Sequence, residues 1–260
     1  MQSSERLLYL AHASLPIFRQ RIILANSVIK AGLEKMQRPY ISMSFGKDST
    51  VMTHLLLQAI PDAPVIYVNC GEFDEWPDTP RVRDEFLRRV HCNFHEIVAP
   101  SIFDLYITAG YVLTDYETGS KAARQMWRIY DDSLGKAITT RAKELGCDGG
   151  FLGLRAAESI NRTRLFNWKE NPYYAESRKM WTCCPLEKWT ARDVWAYITK
   201  NDLPYNDLYD RLPCGREKAR NGTMMWMGFI GNDRSSTIKQ FYPDIWNRFI
   251  CQFPEIAREL

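Results

Sequence analysis

The 260-residue chain has no long apolar run: none reaches the roughly 18 residues that a membrane-spanning helix needs. Charged residues such as Glu5, Arg6 and Arg19 interrupt the first apolar stretches, and no small-residue cleavage site follows them. These features do not fit a secretory signal peptide. We therefore expect a cytoplasmic protein that does not bind membranes.

The cysteine pattern also lacks a common metal-binding spacing. The seven cysteines include no pair separated by two residues, which gives little support to a zinc site or a conventional iron–sulfur site. Their odd number, in a chain without a secretory signal, also argues against a disulfide framework.

The net charge of +3 is too small to indicate nucleic-acid binding by itself. Basic residues nevertheless concentrate in segment 211–220, together with proline and glycine. They are Arg211, Arg216, Lys218 and Arg220. A solvated basic loop and a loop that contacts phosphates fit this pattern equally well.

Hydrophobic periodicity predicts a helical start, followed by alternating strands and helices. Residues 1–37 show an apolar face at helical spacing, and Ser14 can cap a helix that has Pro16 in its first turn. We predict strands at 40–43, 64–69, 93–98 and 149–154, and helices at 50–59, from Thr79, at 133–145 and after Thr190. This alternation is typical of a doubly wound α/β domain, with a parallel sheet between helices. Segment 163–181 breaks the rhythm, and we interpret it as a hairpin or an irregular excursion.

The strongest motif is SFGKDS at residues 44–49, which follows a predicted strand and opens a helix. Such a junction binds anions through free backbone N–H groups and the positive helix end. Gly46 allows close backbone approach, Lys47 adds a positive charge, and Ser44 and Ser49 can donate hydroxyl hydrogen bonds. Asp48 would repel bare phosphate, so we expect it to be a magnesium ligand or a cap that stabilises the loop.

This motif is not a Walker A loop. The Walker pattern needs glycine and then serine or threonine at the positions that Ile41 and Asp48 occupy here. The difference matters because Walker loops act at the bond between the β- and γ-phosphates. The alternative is a generic strand–turn–helix without a ligand.

A second polar set, GLRAAESINR at residues 153–162, follows the fourth predicted strand. Ligands bind at the carboxyl ends of parallel strands, and two guanidinium groups there, Arg155 and Arg162, suit a phosphate. Glu158 can orient Arg155. The alternative is a salt-bridge cluster on the surface.

These motifs resemble those of the adenine nucleotide α-hydrolase superfamily. The loop is similar to the Ser-x-Gly-Lys-Asp-Ser form of the phosphoadenosine phosphosulfate (PAPS) reductase family, and the second motif resembles that family's Gly-Leu-Arg-x-x-Glu-Ser-x-x-Arg element. The segments PLEKWTARDVWAYI at 185–198 and LPYNDLYD at 203–210 resemble a third family stretch. The resemblance covers residues 38–212, with its motifs in the family's order.

The resemblance implies a five-stranded parallel sheet and a division of the chain into three parts. These are an N-terminal helical extension (1–37), a PAPS reductase-like nucleotide-binding domain (38–212) and a C-terminal appendage (213–260). The residues expected to bind the adenine nucleotide are Ser42, Met43, Ser44, Phe45, Gly46, Lys47, Ser49, Asn69, Gly153 and Arg155. The residues expected to act in catalysis are Lys47, Asp48, Arg155 and Arg162. Asp48 is the expected metal ligand, with Glu72 or Asp74 as a possible second one.

The adjacent Cys183 and Cys184 are ambiguous. A Cys-Cys pair occurs in the iron–sulfur branch of the related reductases, where a downstream Cys-x-x-Cys completes it, and here only the isolated Cys214 and Cys251 follow. Two buried apolar thiols are therefore favoured over a 4Fe–4S cluster. Whether any of these four cysteines carries sulfur is left open.

Three functions fit the resemblance. We place first an ATP pyrophosphatase that uses ATP and Mg²⁺ to adenylate a substrate oxygen for sulfur transfer, as in DNA phosphorothioation systems. Its expected partners are a sulfur donor similar to a cysteine desulfurase and, through segment 211–220, DNA. The alternatives are a sulfonucleotide reductase and a non-catalytic nucleotide-binding scaffold. The reductase ranks lower because its Glu-Cys-Gly-Leu-His segment, whose cysteine attacks sulfur, does not occur in this sequence.

Overall fold

The computed structural model describes residues 1–101, 121–219, 238–252 and 254, in which helices and strands alternate. The helices are α1 (Ser3–Ser14), α2 (Pro16–Lys35), α3 (Lys47–Leu57), α4 (Thr79–Arg89), α5 (Lys121–Glu144), α6 (Ile160–Trp168), α7 (Ala191–Lys200), α8 (Leu208–Arg211) and α9 (Pro243–Gln252). The strands are β1 (Pro39–Met43), β2 (Pro64–Asn69), β3 (Asn93–Val98), β4 (Gly149–Phe151), β5 (Tyr173–Ala175) and β6 (Met180–Cys183).

The chain divides into two compact units. The first comprises Met1–Tyr67, Arg81–Glu96 and Ile138–Tyr205, and it contains most of the sheet. The second comprises the described residues of 68–80, 97–137 and 206–260. The division of the chain at residues 37 and 212 stays a prediction.

The sheet has six strands in the order β3-β2-β1-β4-β6-β5. Strand β1 pairs in parallel with β2 and β4, and β4 pairs in parallel with β6. The predicted α/β class with a mostly parallel sheet is thus confirmed. The sheet has one strand more than the five parallel strands that the resemblance implied, because β5 turns back along β6 in antiparallel pairing at the sheet edge.

The excursion predicted at 163–181 is only partly a hairpin. Its second half is the β5–β6 hairpin, but its first half belongs to helix α6. Sequence periodicity missed this helix because the apolar side chains of α6 are not gathered on a buried face. The structure describes the whole of α6, and every one of its residues is at least partly exposed.

The predicted helical start is confirmed, but its internal cap is not where we expected it. Leu15, not Ser14, is the N-cap of α2, whose first residue is Pro16. Ser14 ends α1, and its hydroxyl donates to the carbonyl of Ala11 at 2.7 Å. Among the described residues, no helix combines the length and the apolar character needed to cross a bilayer.

Helix α1 packs against α7, which begins at the predicted cap Thr190. The Thr190 hydroxyl accepts a hydrogen bond from the Asp193 N–H at 3.2 Å, and the Asp193 carboxylate accepts one from the Thr190 N–H at 2.8 Å. His12 of α1 lies 2.7 Å from the same carboxylate. Burial alone would raise the pKa of Asp193, but hydrogen bonds from His12 and Thr190 hold that pKa below its usual value.

Strands β1 and β4 approach closely because β4 begins with two glycines. A Cβ on Gly150 would lie 2.4 Å from the ring of Tyr40, and one on Gly149 would lie 2.3 Å from the sulfur of Met36. A larger residue at either position would push apart the centre of the sheet, where the 44–49 loop begins.

We predict that Gly150→Ala lowers the free energy of unfolding by about 1–3 kcal/mol, because the added methyl overpacks a buried contact. Gly135→Ala is the matched control: in α5, a Cβ at this position would meet no heavy atom of the described residues within 4 Å. We expect the control to be neutral or to stabilise by up to about 1 kcal/mol, as alanine does in helices. Urea unfolding measures both changes, and equal effects of the two substitutions would contradict the packing argument.

Candidate functional site

The loop between β1 and α3 is closed by its own serines. The Ser49 hydroxyl accepts from the Ser44 N–H at 3.2 Å and donates to the Gly46 carbonyl at 3.1 Å. The Ser44 hydroxyl lies 3.0 Å from that of Ser49. In this conformation the Ser49 hydroxyl donates its proton within the loop, to the Gly46 carbonyl. From the sequence we expected this hydroxyl to donate to a phosphate instead.

Phe45, not Gly46, adopts the unusual backbone conformation of the loop. Phe45 has φ 52°, in the left-handed region that costs a non-glycine residue about 1–2 kcal/mol. Its buried ring packs edge-on against Tyr67, with 4.9 Å between ring centroids, and also contacts Phe86. This aromatic packing holds the strained turn in place.

Gly46 is the N-cap of α3, with an extended backbone at φ −74° and ψ 158°. The first-turn N–H groups of an α-helix lack carbonyl partners within the helix, and glycine has no side chain to cover them. No side chain therefore caps the positive end of α3, and the anion-binding role expected of Gly46 stays a prediction.

A buried group of charges lies beside this helix end. Lys47 and Arg155 are only 1% and 3% exposed, and the carboxylate of Asp48 lies between them. One carboxylate oxygen of Asp48 lies 3.5 Å from Lys47 Nζ, and the other accepts from Arg155 Nε at 2.6 Å. Burial lowers the pKa of Lys47, and the positive charge of Arg155 lowers it further, against the opposing effect of Asp48.

Glu158 ties the two predicted arginines together. Its carboxylate accepts a hydrogen bond from the Arg155 N–H at 3.0 Å and pairs with the guanidinium of Arg162. Arg155 Nη1 also donates to the carbonyl of Trp189 at 3.4 Å. Sequence reasoning missed the part played by this carbonyl, although Trp189 lies in the third motif that carried the resemblance.

Gly153 allows the two halves of the site to meet. A Cβ on Gly153 would lie 3.0 Å from the backbone N and Cα of Ser49 and 3.2 Å from the carbonyl carbon of Asp48. The segment after β4 thus passes directly against the first turn of α3. Any side chain at position 153 would have to push the helix end away.

The remaining residues predicted to bind the nucleotide make no contact with the Lys47–Asp48–Arg155 cluster among the contacts described above. Ser42 and Met43 end β1, and the sulfur of Met43 lies 3.2 Å from the Thr53 hydroxyl in the core. Asn69 belongs to the second compact unit, where its side chain accepts from the Gly71 N–H at 2.9 Å. The role of these residues in holding an adenine stays a prediction.

One family match spans the loop, the two arginines and the third motif. Residues 38–212 match the model of the phosphoadenosine phosphosulfate reductase domain. The chain belongs to this family. Because the match covers more than half of the chain, the family resemblance stated from the motifs is confirmed.

Two curated relatives show how far the similarity extends. The chain is 30% identical over 177 residues to a phosphoadenosine 5′-phosphosulfate reductase of Xanthomonas axonopodis pv. citri (strain 306), covering 67% of each protein. It is 29% identical over 174 residues to the reductase of Xylella fastidiosa (strain 9a5c), covering 66% of this chain and 68% of the relative.

A solved structure supports the fold. The phosphate complex of the phosphoadenylyl-sulfate reductase from Candida auris matches with a TM-score of 0.53 at 18% identity. The match covers 81% of this chain and 92% of that chain. At this level of identity the likeness establishes a shared fold.

The residues expected to bind magnesium in this family member do not fit a cation in the arrangement that the structure shows. Both oxygens of Asp48 face positive groups, which would repel Mg²⁺. Glu72 pairs with Arg248 at 2.7 Å in the second compact unit, where Asp74 is fully buried. Among the described residues, no group of three or more histidine, cysteine or acidic side chains could hold a metal.

The Cys183–Cys184 pair lies at the end of β6 as two buried free thiols. Burial raises the pKa of Cys183 to about 12, and burial together with neighbouring negative groups raises the pKa of Cys184 further. A buried thiol with a raised pKa is a poor nucleophile. Cys214 and Cys251 are exposed and belong to the second compact unit.

The basic segment 211–220 is less available than the sequence suggested. Arg216 is buried and pairs with Asp210 at 2.6 Å, and the guanidinium of Arg211 lies 4.9 Å from the ring centroid of Tyr242. Lys218 is exposed, and Arg220 lies outside the described residues. Two of the four basic side chains thus make contacts within the second compact unit.

We predict that Gly153→Ala weakens adenine-nucleotide binding by about tenfold, because an overpacking cost of about 1–2 kcal/mol at this contact shifts the helix end by a few tenths of an ångström. Calorimetric titration with ATP and with PAPS measures the change. Gly135→Ala serves again as the control and should bind as the unmodified protein does. Unchanged binding by Gly153→Ala would contradict the role given to the first turn of α3.

Proposed function

We propose that this chain is a sulfonucleotide-binding enzyme that holds a PAPS-type nucleotide on the 44–49 loop and releases its sulfur as sulfite. The observation that carries the proposal is the buried Lys47–Asp48–Arg155 cluster beside the first turn of α3, an end that no side chain caps. It lies in a chain similar, over about two thirds of its length, to proteins named phosphoadenosine 5′-phosphosulfate reductase.

The charge balance of the site favours an anionic ligand. Lys47, Arg155 and Arg162 face the carboxylates of Asp48 and Glu158, which leaves one net positive charge beside the positive end of α3. A phosphate oxygen would accept from the first-turn N–H groups and from Lys47. Because burial disfavours the charged form of Lys47, such an anion would also offset the cost of keeping this side chain protonated.

The comparisons favour the reductase over the ATP pyrophosphatase that the sequence analysis placed first. Reduction of PAPS breaks the bond between sulfur and the 5′-phosphate oxygen. The products are sulfite and adenosine 3′,5′-bisphosphate, and a dithiol supplies two electrons and becomes a disulfide. The residues of this chain would bind the phosphates and stabilise the negative charge that grows on the leaving nucleotide.

A specific observation keeps the ATP pyrophosphatase as a second candidate. Reduction needs a thiolate, but burial raises the thiol pKa of all four cysteines in the first compact unit. These are Cys92, Cys147, Cys183 and Cys184. Cleavage of ATP between the α- and β-phosphates needs no thiolate, and Lys47, Arg155 and Arg162 would face the pyrophosphate. A sulfur-donating protein and DNA are the partners proposed for that reaction.

Product analysis separates the candidates. The protein is incubated either with PAPS and a dithiol protein or with ATP, and the products are resolved by chromatography. We expect sulfite and adenosine 3′,5′-bisphosphate from the first incubation. AMP and pyrophosphate from the second incubation alone would instead establish the pyrophosphatase. ADP with phosphate as the main products would contradict both, because that cleavage occurs at the γ-phosphate.

We predict that Lys47→Gln weakens nucleotide binding by about 10- to 150-fold, the equivalent of one charge-assisted hydrogen bond. Lys30→Gln, which alters an exposed lysine of α2, is the control and should bind normally. Arg155→Ala is less informative, because it removes a buried guanidinium that pairs with both Asp48 and Glu158 and should cost about 3–5 kcal/mol of stability. Equal affinities of Lys47→Gln and Lys30→Gln, measured by calorimetry, would rule out the loop as the phosphate site.

A further inference from the structure

Helix α6 buries no side chain in the core of the protein, so core packing contributes little to its stability. The structure describes all nine of its residues, and none is buried. Short helices in proteins owe most of their stability to an apolar face packed against other elements. The exposure of α6 therefore leaves a helical surface available to a partner.

This helix and the hairpin that follows it carry a concentration of positive charge. Residues 160–179 contain five lysines or arginines and two glutamates, a formal net charge of +3 that equals the net charge of the whole chain. Arg164, Lys169 and Lys179 are exposed. The cations with inward partners are Arg162, which pairs with Glu158, and Arg178, which hydrogen-bonds to Tyr40.

Aromatic rings are interleaved with these cations. Trp168 is 89% exposed, an unusual position for so large an apolar side chain, and Tyr174 is 41% exposed. Lys169 Nζ lies 4.9 Å from the ring centroid of Tyr173. Along α6, Arg164 and Trp168 are four residues apart and lie on the same face.

We propose that the α6 surface, defined as α6 with the β5–β6 hairpin, binds single-stranded nucleic acid. Exposed cations attract the phosphates, and an exposed indole ring stacks on an unpaired base, since every base has a π-face. Paired bases cannot stack in this way, so the exposed Trp168 favours a single strand over a duplex. An acidic protein segment would satisfy the cations but would leave the aromatic rings unused.

The α6 surface differs from the segment that the sequence first indicated. Within 211–220, Arg211 and Arg216 already contact groups of their own compact unit. On α6, by contrast, Arg164 is exposed beside an exposed aromatic ring. This inference concerns a second ligand and does not depend on which nucleotide the 44–49 loop binds.

Fluorescence anisotropy with a labelled single-stranded oligonucleotide of about 20 nucleotides tests the proposal, since this length exceeds the roughly 4–16 nucleotides that an OB fold covers. We expect Trp168→Ala to weaken binding about 5- to 150-fold and Trp168→Phe to retain most of it, because phenylalanine still stacks. Arg164→Ala should weaken binding and reduce the slope of log affinity against log salt by about 0.7.

Arg88→Ala, which removes an exposed arginine of α4, is the matched control and should bind the oligonucleotide like the unmodified protein. Trp168 is so exposed that its replacement should leave the urea unfolding curve unchanged. Absence of binding by the unmodified protein would overturn the proposal. Equal binding by Trp168→Ala, or tighter binding of a duplex of the same sequence, would overturn it as well. ATP and PAPS titrations of the same samples report on the loop separately.

Discussion

A carboxylate held between two buried cations organises the candidate site. Asp48 lies in the first turn of α3. One of its carboxylate oxygens contacts Lys47 of the same turn, and the other contacts Arg155 of the segment after β4. A buried ion pair is costly to desolvate and contributes little net stability. The pair places two positive groups beside a helix end that no side chain caps, and in the proposed function both groups face an anionic ligand.

Other parts of the first compact unit support this arrangement. Gly153 lets the segment after β4 pass against the backbone of α3, and the Trp189 carbonyl accepts a hydrogen bond from Arg155. Trp189 is buried, and its indole N–H donates to the Arg21 carbonyl of α2 at 3.2 Å. Helix α2 therefore helps to position Trp189, whose carbonyl accepts from Arg155. Contacts of Arg155 with the Trp189 carbonyl and of Gly153 with α3 thus fix the segment that follows β4. This segment lies at the carboxyl end of a parallel strand, where ligands bind in such sheets.

Several elements of the fold and of the candidate site could be predicted from the sequence, because their local sequence patterns agree with the structure that they adopt. Strands β2 and β3, the Thr190 cap and the strand–loop–helix junction at Lys47 depend on periodicity and capping, which act over a few residues. The left-handed turn at Phe45 could not be predicted, since it depends on packing against the distant Tyr67. The burial of Arg216 beside Asp210 and the exposure of α6 are likewise tertiary outcomes, which composition does not reveal.

In the proposed function, the first turn of α3 receives the phosphate of an adenine nucleotide. A crystal structure of the protein with adenosine 3′,5′-bisphosphate tests it most directly. We expect the 5′-phosphate within hydrogen-bonding distance of the first-turn N–H groups and of Lys47 Nζ, with Arg155 still paired to Asp48. A nucleotide bound with its phosphates away from the 44–49 loop would contradict the account.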